Sequence, residues 1–429
     1  MLPFLAGWAV FLVAVYVFMV RDRAGSGSRE RRVVPSGGMG RLRRLLIGLT
    51  LLAVALSAAG LLGCASQGAA EAAGESAAAT VAAASPPGPT ASPSPPASAE
   101  LAGWSNRRLA AQLVFCSVPA SNPLLGRKFA RMGVGGIVIL GGGARSSIGS
   151  DLAAVLKAAP HRVKPFIASD EEGGLVQRLR AVIYPLPSAR VQGGWSASKT
   201  RAAAEAYGRR MRKLNVAVDF APVADLDIPG RFISGQQRAF SRDPGVVGSH
   251  VVAWVEGLKA ARVLPTVKHW PGHGWATDTH TGAARVPSLS VLRREDMVPF
   301  EQAFDADVPL VMVGHLRSKG LTGDDTPASL SRSALTYLRG RAGDKTVIIT
   351  DSLSMAATTK AVGLRLPAAA VRALKAGADL ALFASGDPGP VIDAVTAAIK
   401  TGRIPRAQAE ASALRVLELK RAAGLAPTQ

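Results

Sequence analysis

The chain has 429 residues, 48% of them apolar, so it is long enough to bury a sizeable core in one large domain or in two or three small ones. Its formal net charge is +21, and residues 101–429 alone carry a net charge of about +18. This charge favours anionic surroundings such as phospholipid or acidic wall polymers. Nucleic acid is excluded as a predicted partner, because the sequence contains no basic helix and no aromatic strand of the RNA-binding type.

Two apolar runs open the chain. The first, residues 2–20, is uncharged and is long enough to span a bilayer. The second, residues 45–63, follows three arginines and ends in Leu61-Leu62-Gly63-Cys64. Basic residues, an apolar core and then L-x-G-C form the layout of a bacterial lipoprotein signal, in which the cysteine becomes the lipidated first residue.

We therefore predict a lipoprotein signal peptide over residues 39–64, with Met39 as its start and Cys64 as its lipidation site. Residues 1–38 would then be an upstream extension or a transmembrane segment. The mature protein would be exported and lipid-anchored to the outer face of the cytoplasmic membrane. The alternative is an ordinary transmembrane helix that ends in cysteine.

The next segment, residues 65–100, is predicted to be a disordered tether. It consists mainly of Ala, Ser, Pro, Gly and Thr and has almost no large apolar side chain to bury. Beyond it Cys116 is the only cysteine, so no intrachain disulfide can form, and its apolar neighbours indicate a core position.

Residues 101–429 are predicted to form one catalytic domain, an α/β fold of the (β/α)8 TIM-like barrel type. Short apolar runs rich in β-branched residues alternate there with longer helical patterns, as expected for strands of a parallel sheet. A doubly wound open sheet is the alternative, but no Gly-rich dinucleotide motif follows the first strand. The eight predicted strands cover residues 113–118, 135–140, 165–169, 216–221, 265–268, 308–313, 346–350 and 379–383.

Polar side chains directly follow five of these strands. They are Asp170, Asp225, the pair Lys268-His269, His315 and Asp351. In a parallel barrel all strands end on one face, where the active sites of such enzymes lie. Any one of these carboxylates could instead cap a helix, but five polar strand ends on one face indicate a site.

Asp351 is the predicted nucleophile for cleavage of a glycosidic bond. A barrel rim with carboxylates, histidines and tryptophans suits sugars, which present hydroxyls and apolar ring faces. Cleavage with retention needs one carboxylate near the anomeric carbon and a second group that acts first as acid and then as base. An N-cap for a helix beginning near Ser352 is the alternative role for Asp351.

His280 is the candidate for the acid/base group. It lies on the loop KHWPGHGWATDTH, residues 268–280, two residues after Asp278, which can orient the ring and set its tautomer. Pro271 and two glycines exclude a regular helix or strand there. A metal site built from the three loop histidines and Asp278 is the rival interpretation, although the loop lacks the helical spacing typical of zinc ligands.

Five segments together resemble the family 3 glycoside hydrolases, and within that family the single-domain NagZ-type β-N-acetylglucosaminidases. The segments occur in the family's order, and the K-H-x-P-G-H-G…D-x-H combination is highly specific. The chain departs from the usual motifs only at Trp270, Thr279 and Ser352. The segments are SDEEGGLVQ (169–177), DFAPVAD (219–225), RAFSRDP (238–244), KHWPGHGWATDTH (268–280) and DSLSM (351–355).

The resemblance implies a role for seven positions. Asp351 matches the family's nucleophile, and His280 with Asp278 matches its unusual histidine acid/base. The positions that match binders of the N-acetylglucosamine hydroxyls are Asp170, Arg238, Lys268 and His269, while His273 is interpreted as structuring the loop.

These observations predict a retaining exo-β-N-acetylglucosaminidase. Its substrates would be peptidoglycan-derived muropeptides or other glycans with terminal N-acetylglucosamine, and it would act as a monomer without a metal or organic cofactor. Two-domain members of the family take their acid/base from a later domain, so an acid on the barrel itself favours the N-acetylglucosaminidase branch. The alternatives are a phosphorylase, a β-glucosidase and a non-catalytic sugar-binding lipoprotein.

Overall fold

The structure is a computed structural model and describes residues 99–428. The predictions for residues 1–38, for residues 39–64 and for all but the end of the tether therefore lie outside the described residues. Within residues 99–428, no helix combines the length and apolarity needed to cross a bilayer.

Eight parallel strands form the predicted barrel. In chain order they pair side by side, from β1 to β2, β3, β6, β7, β9 and β11, while β12 pairs with β1. A parallel bridge between Ile349 and Leu380 joins β11 to the start of β12 and closes the circle. The strands are β1 Val114–Pro119, β2 Gly136–Leu140, β3 Phe166–Ser169, β6 Val218–Asp219, β7 Leu264–Trp270, β9 Leu310–Val313, β11 Val347–Thr350 and β12 Ala381–Leu382.

Helices cover the outside of the barrel. Several begin at side chains that accept a bond from the first turn, such as Asp243, which is followed by a proline suited to that turn. The α-helices are α1 Asn106–Gln112, α2 Gly126–Arg131, α3 Ile148–Lys157, α4 Ala189–Gln192, α5 Ala197–Lys213, α6 Phe232–Gly235, α7 Pro244–Ala260, α8 Leu289–Arg294, α9 Val298–Asp305, α10 Lys319–Thr322, α11 Arg332–Ala342, α12 Ala356–Thr359, α13 Leu366–Ala376, α14 Pro388–Lys400 and α15 Arg406–Ala422. Short 3-10 helices lie at Ala99–Leu101, Pro123–Leu125 and Ala328–Leu330.

The barrel strands are buried on both faces, which explains their continuous apolar sequences. The residues of β9 and β11 are all buried, and Phe115 of β1 packs against Phe220 with ring centroids 5.5 Å apart. Gly136 of β2 leaves room for that ring, because a Cβ there would lie 2.1 Å from a Phe115 ring carbon. The close packing holds the strand ends, and the polar residues that follow them, in fixed positions.

Four further short strands lie at the carboxyl end of the barrel, and the sequence did not predict them. Strands β4 Glu171–Gly173 and β5 Val176–Gln177 form an antiparallel hairpin after β3, and β8 Ala284–Arg285 pairs in parallel with β10 Leu316–Arg317. Each is only two or three residues long, so none has an alternation of polar and apolar residues long enough to detect.

Strand β7 is longer than predicted. We expected the strand to cover residues 265–268, but it runs from Leu264 to Trp270 with a register shift between Val267 and Trp270. Lys268 and His269 therefore belong to the barrel wall, and the irregular loop starts at Pro271. This gives both side chains a more rigid support than a loop would.

Candidate active site

A cavity of about 460 Å³ opens at the carboxyl end of the barrel. Its walls come from residues at the ends of β2, β3, β6, β7, β11 and β12 and from the loops that follow them. All seven residues predicted for the site line this one cavity: Asp170, Arg238, Lys268, His269, Asp278, His280 and Asp351.

A network of five charged side chains forms one wall of the cavity. The Nζ atom of Lys268 lies 2.7 Å from Asp170 Oδ1 and 2.6 Å from Glu172 Oε1. Arg238 donates two parallel bonds to Glu172, of 2.7 Å and 2.8 Å. Arg178 adds a second cation beside Asp170, at 3.6 Å. The network presents cations and carboxylates together, which is the arrangement that binds several sugar hydroxyls at once.

Glu172 is the buried carboxylate that bonds to two cations of this network, Lys268 and Arg238. Burial raises the pKa of Glu172, but Arg238 and Lys268 outweigh burial and lower that pKa to about 2. Burial likewise lowers the pKa of Lys268, but Asp170 and Glu172 raise it above its ordinary value. Glu172 and Lys268 are therefore both ionised at neutral pH. Glu172 belongs to the SDEEGGLVQ motif, but its role could not be predicted from the sequence.

Asp225, at the end of the segment after β6, anchors the start of the loop of residues 271–280, which we call the catalytic loop because it carries the predicted acid/base His280. Its side chain accepts bonds from the backbone N–H groups of His269, at 3.1 Å, and His273, at 2.7 Å, and lies 2.7 Å from His269 Nδ1. Burial raises the pKa of Asp225, but these partners lower it below its ordinary value. Asp225 therefore orients the His269 ring and does not cap a helix.

His273 is a buried residue of the loop. Its ring packs 5.6 Å from that of His269 and 5.8 Å from that of Phe232. Burial lowers the pKa of His273 to about 4, so the ring is neutral at physiological pH. A neutral ring packed between two other rings supports the shape of the loop.

Asp351 follows β11 and points into the cavity as a largely buried anion. Its Oδ1 accepts a 2.6 Å bond from the neighbouring Ser352 N–H. Burial raises the pKa of Asp351, but His269, His315, the Ser352 amide and Lys268 lower it below its ordinary value. The alternative role as an N-cap is wrong, because the next helix, α12, begins only at Ala356, after Met355.

His315 supports the segment that carries Asp351. Its Nε2 lies 2.9 Å from the Ser352 carbonyl oxygen and its Nδ1 lies 2.7 Å from Ser329 Oγ. Burial lowers the pKa of His315, which favours a neutral ring that donates one bond and accepts the other. Sequence reasoning noted His315 at a strand end without giving it this structural role.

His280 and Asp278 lie at the outer edge of the same cavity. His280 Nδ1 is 2.7 Å from Asp278 Oδ1, and the His280 ring lies 6.2 Å from that of Phe232. Between them Thr279 is buried and attaches the loop to the segment after Asp351. The N–H of Ala357 donates to the Thr279 carbonyl at 3.2 Å, and Thr279 Oγ1 lies 3.7 Å from Met355 Sδ.

The histidines of the loop do not converge on a common point. His269 and His280 direct their Nδ1 atoms to different carboxylates, Asp225 and Asp278. Among residues 99–428, no group of three or more His, Cys, Asp or Glu side chains is arranged to hold a metal ion. The geometry therefore does not support the rival interpretation of a metal site built from the loop histidines and Asp278.

Two residues of the site were missed entirely as candidates. Arg178 lines the cavity beside Asp170, and Phe232 packs under His280. The hairpin β4–β5 explains Arg178, because it folds the chain back and returns Arg178 to Asp170. Phe232 comes from helix α6, whose four residues gave no periodic signal.

Comparisons with known proteins show the family of the chain. Residues 110–419 match the glycosyl hydrolase family 3 N terminal domain. The beta-hexosaminidase LpqI of Mycobacterium tuberculosis is 36% identical over 351 residues, which cover 78% of this chain and 89% of that protein. The beta-hexosaminidase of Xanthomonas oryzae pv. oryzae is 37% identical over 251 residues, 56% of this chain and 72% of that protein.

Solved structures show the same fold. A family 3 glycosyl hydrolase from Mycobacterium smegmatis superposes with a TM-score of 0.67 and 36% identity, covering 76% of this chain and 99% of the solved one. A family 3 beta-N-acetylglucosaminidase from Paenibacillus has a TM-score of 0.69 and 29% identity, covering 75% of this chain and 64% of that one. The predicted barrel, the predicted glycoside hydrolase class and the resemblance to the β-N-acetylglucosaminidase branch are confirmed. The chain belongs to glycosyl hydrolase family 3.

Proposed function

We propose that the protein removes terminal N-acetylglucosamine with retention, using Asp351 as nucleophile and His280 as acid/base. The observation that carries the proposal is that Asp351 and the His280–Asp278 pair line one cavity with the Lys268 network. Retaining cleavage needs an ionised carboxylate below the anomeric carbon and a proton donor beside the leaving oxygen. A buried carboxylate with a lowered pKa and an outer, exposed imidazole meet these two needs.

The reaction would take two steps. In the first, Asp351 bonds to the anomeric carbon while His280 Nε2–H gives its proton to the glycosidic oxygen, which leaves as a hydroxyl. In the second, Nε2 takes a proton from water, the water oxygen bonds to the anomeric carbon, and Asp351 is released. Asp278 accepts the Nδ1–H bond in both steps and so keeps Nε2 directed at the sugar.

The sugar would bind through four polar residues on the inner wall, Asp170, Arg238, Lys268 and His269, which all line the cavity. Bonds within the protein fix their positions before the sugar enters: Lys268 bonds to Asp170, Arg238 to Glu172, and His269 to Asp225. Because they are already oriented, little conformational entropy is lost when the hydroxyls bind.

An assay with two aryl glycosides tests this activity. The aryl β-N-acetylglucosaminide should be hydrolysed, and the matching aryl β-glucoside should react far more slowly. Turnover in phosphate and in an inert buffer of equal ionic strength should be the same. Preference for the glucoside, or a sugar phosphate as the product, would replace this proposal with the β-glucosidase or the phosphorylase.

We also propose muropeptides from peptidoglycan as the natural substrates. The basic charge of residues 101–429 supports this, because the lactyl and peptide parts of a muropeptide carry carboxylates. N-acetylglucosaminyl-anhydromuramoyl peptide should have a higher kcat/KM than uncharged chitobiose, and salt should reduce the difference. Equal values at low salt would oppose the substrate, while leaving the glycosidase activity in place.

We propose that the enzyme lies at the outer face of the membrane, where lipid on Cys64 holds it. We also propose that it is a monomer. The motif Leu61-Leu62-Gly63-Cys64 supports the anchor. Mass spectrometry of the membrane-bound protein should find a mature chain that begins at lipidated Cys64. A peptide from residues 1–38 in the same preparation would show instead that the first apolar run is retained. Light scattering in detergent measures the mass of the particle and so tests whether the enzyme is a monomer.

A further inference from the structure

One side of the barrel carries an exposed patch that combines adjacent leucines with cations. Leu124 and Leu125 are 42% and 51% exposed, in contrast to the buried leucines of the core. We call the surface the α2 patch, and its exposed members are Leu124, Leu125, Arg127, Lys128 and Arg131. We propose that the α2 patch docks on an anionic phospholipid surface. This inference goes beyond the glycosidase activity and rests only on the proposed location outside the membrane.

The five residues form one continuous surface. All of them line the same open groove of about 470 Å³, together with Asp387. Arg131 also lines a second cavity, which contains Arg107, Arg108 and His161. The basic surface therefore continues from α2 onto α1, the first α-helix of the described chain.

Carboxylates of the same surface neutralise only part of its positive charge. Lys128 pairs with Asp387, and Arg107 pairs with Asp393. Within residues 99–428, Arg127 and Arg131 form no ion pair, so their charges are available to an external anion. An excess of exposed cations around an apolar centre is complementary to anionic headgroups above acyl chains.

The leucine pair indicates lipid rather than a soluble polyanion. A nucleic acid or an acidic wall polymer would use the arginines but would gain nothing from two adjacent exposed leucines. At a bilayer the leucines can enter the headgroup boundary, while the long side chains of Arg127 and Arg131 keep their charges at the phosphates. Adjacent leucines and flanking arginines together therefore fit the interface between water and lipid.

The position of the patch relative to the chain entry supports the same partner. The described chain begins at Ala99, shortly before α1, whose Arg107 and Arg108 share a cavity with Arg131. The predicted lipid anchor at Cys64 lies 35 positions before Ala99 in the sequence. The barrel would then remain near the membrane, and a weakly binding surface would be engaged much of the time.

The experiment uses the full chain on vesicles and a fluorescent label at position 124. A bimane group is attached to a Leu124→Cys variant, and the vesicles contain brominated acyl chains that quench bimane on contact. Strong quenching is expected with equal amounts of phosphatidylglycerol and phosphatidylcholine, and weak quenching with phosphatidylcholine alone. Wild-type protein treated with the same reagent corrects for labelling at Cys64 or at buried Cys116.

A matched label tests whether the orientation is specific. Val246 is 37% exposed at the start of α7, on the side of the barrel between β6 and β7, away from β1. Bimane on a Val246→Cys variant should be quenched several times less than bimane at position 124. Equal quenching at both positions would show that the anchor alone brings the barrel near lipid, and this would overturn the proposal.

Charge removal provides the second test. In the labelled chain, Arg127→Gln with Arg131→Gln should reduce the ratio of docked to undocked barrel by roughly 25-fold, because each cation near an anionic surface contributes about fivefold. Unchanged quenching would contradict the proposal. Hydrolysis of a soluble aryl β-N-acetylglucosaminide should be unchanged in the variant, which shows that it is folded and separates failure of docking from failure of the glycosidase assignment.

Discussion

The imidazole of His280 bonds to the carboxylate of Asp278, which lies two residues earlier in the same loop. Asp278 Oδ1 accepts the His280 N–H at 2.9 Å and lies 2.7 Å from His280 Nδ1. The pair fixes the ring although its side chain is 59% exposed. The tautomer with hydrogen on Nδ1 leaves Nε2 for proton exchange with the substrate.

Replacing Asp278 with asparagine should lower kcat/KM on the order of 100-fold, because the amide no longer selects the active tautomer. The decisive control is the double variant Asp278→Asn/His280→Ala. If the two residues act as a unit, the double variant is no slower than His280→Ala alone. Multiplication of the two effects would show that Asp278 works independently of His280.

Replacing His280 with alanine should affect substrates according to their leaving groups. Acid assistance contributes on the order of 100-fold or more when the leaving group is an alcohol, and little when it is a nitrophenolate. Formation of the glycosyl-enzyme should therefore slow strongly for chitobiose and weakly for the aryl glycoside, as measured by pre-steady-state bursts. Equal losses on both substrates would contradict the acid role.

The general plan of this site could be predicted from the sequence. Asp351 and Asp170 follow apolar strands and Lys268 lies near the end of one, and the rule that parallel strands end together brought them to one face. Glu172 and Arg178 could not be found in this way. They reach the cavity through the hairpin β4–β5, whose register depends on a two-residue turn and not on a repeating pattern. Long-range pairs of this kind follow from tertiary packing.

The fold shows the same division. Every predicted barrel strand is present, because burial on both faces imposes an apolar, β-branched sequence on strands such as β9 and β11. The extension of β7 from His269 to Trp270 was missed, since a histidine before the sequence Pro271-Gly272 does not indicate a buried strand. Polar residues of the site stand there in place of the apolar pattern that would have indicated a strand.

Glu172→Gln should destabilise the fold by about 3 kcal/mol, since it leaves Lys268 and Arg238 buried beside a neutral side chain. Urea unfolding at neutral pH measures the change. Glu205→Gln is the matched control, because its ion pair with exposed Arg209 contributes less than about 1 kcal/mol. Similar effects of the two substitutions would contradict the account of a buried network.

The pH dependence of the Glu172 effect has a definite sign. The folded pKa of about 2 lies below the ordinary value of 4.5, so the carboxylate stabilises the fold above pH 4.5. This contribution is lost as the pH falls from 4.5 towards 2. The difference in unfolding free energy between wild type and Glu172→Gln should therefore shrink below pH 4.5, and a constant difference would oppose the assigned ionisation.

Asp296 should show the opposite dependence. It is fully buried beside Gly272 of the catalytic loop, neither of its carboxylate oxygens has a hydrogen-bond partner within residues 99–428, and burial raises its pKa to about 7. The folded state therefore holds a proton that the unfolded state releases, so this group reduces stability as the pH rises from about 4 to about 7.

Asp296→Asn removes that titration. The stability of the variant relative to wild type should rise between pH 5 and pH 8, by up to a few kcal/mol, in urea unfolding at each pH. The comparison across pH cancels any fixed packing change that the amide introduces. A difference that does not vary with pH would show that Asp296 is ionised throughout this range.

Asp351 is proposed to form the covalent bond to the sugar. A fluorinated N-acetylglucosaminyl substrate that forms the intermediate quickly and releases it slowly allows this bond to be observed by mass spectrometry of proteolytic peptides. We expect one added sugar on Asp351, and none on the Asp351→Asn variant. A sugar attached to another residue, or no adduct while the enzyme still turns over the substrate with retention, would contradict the role of Asp351 as nucleophile.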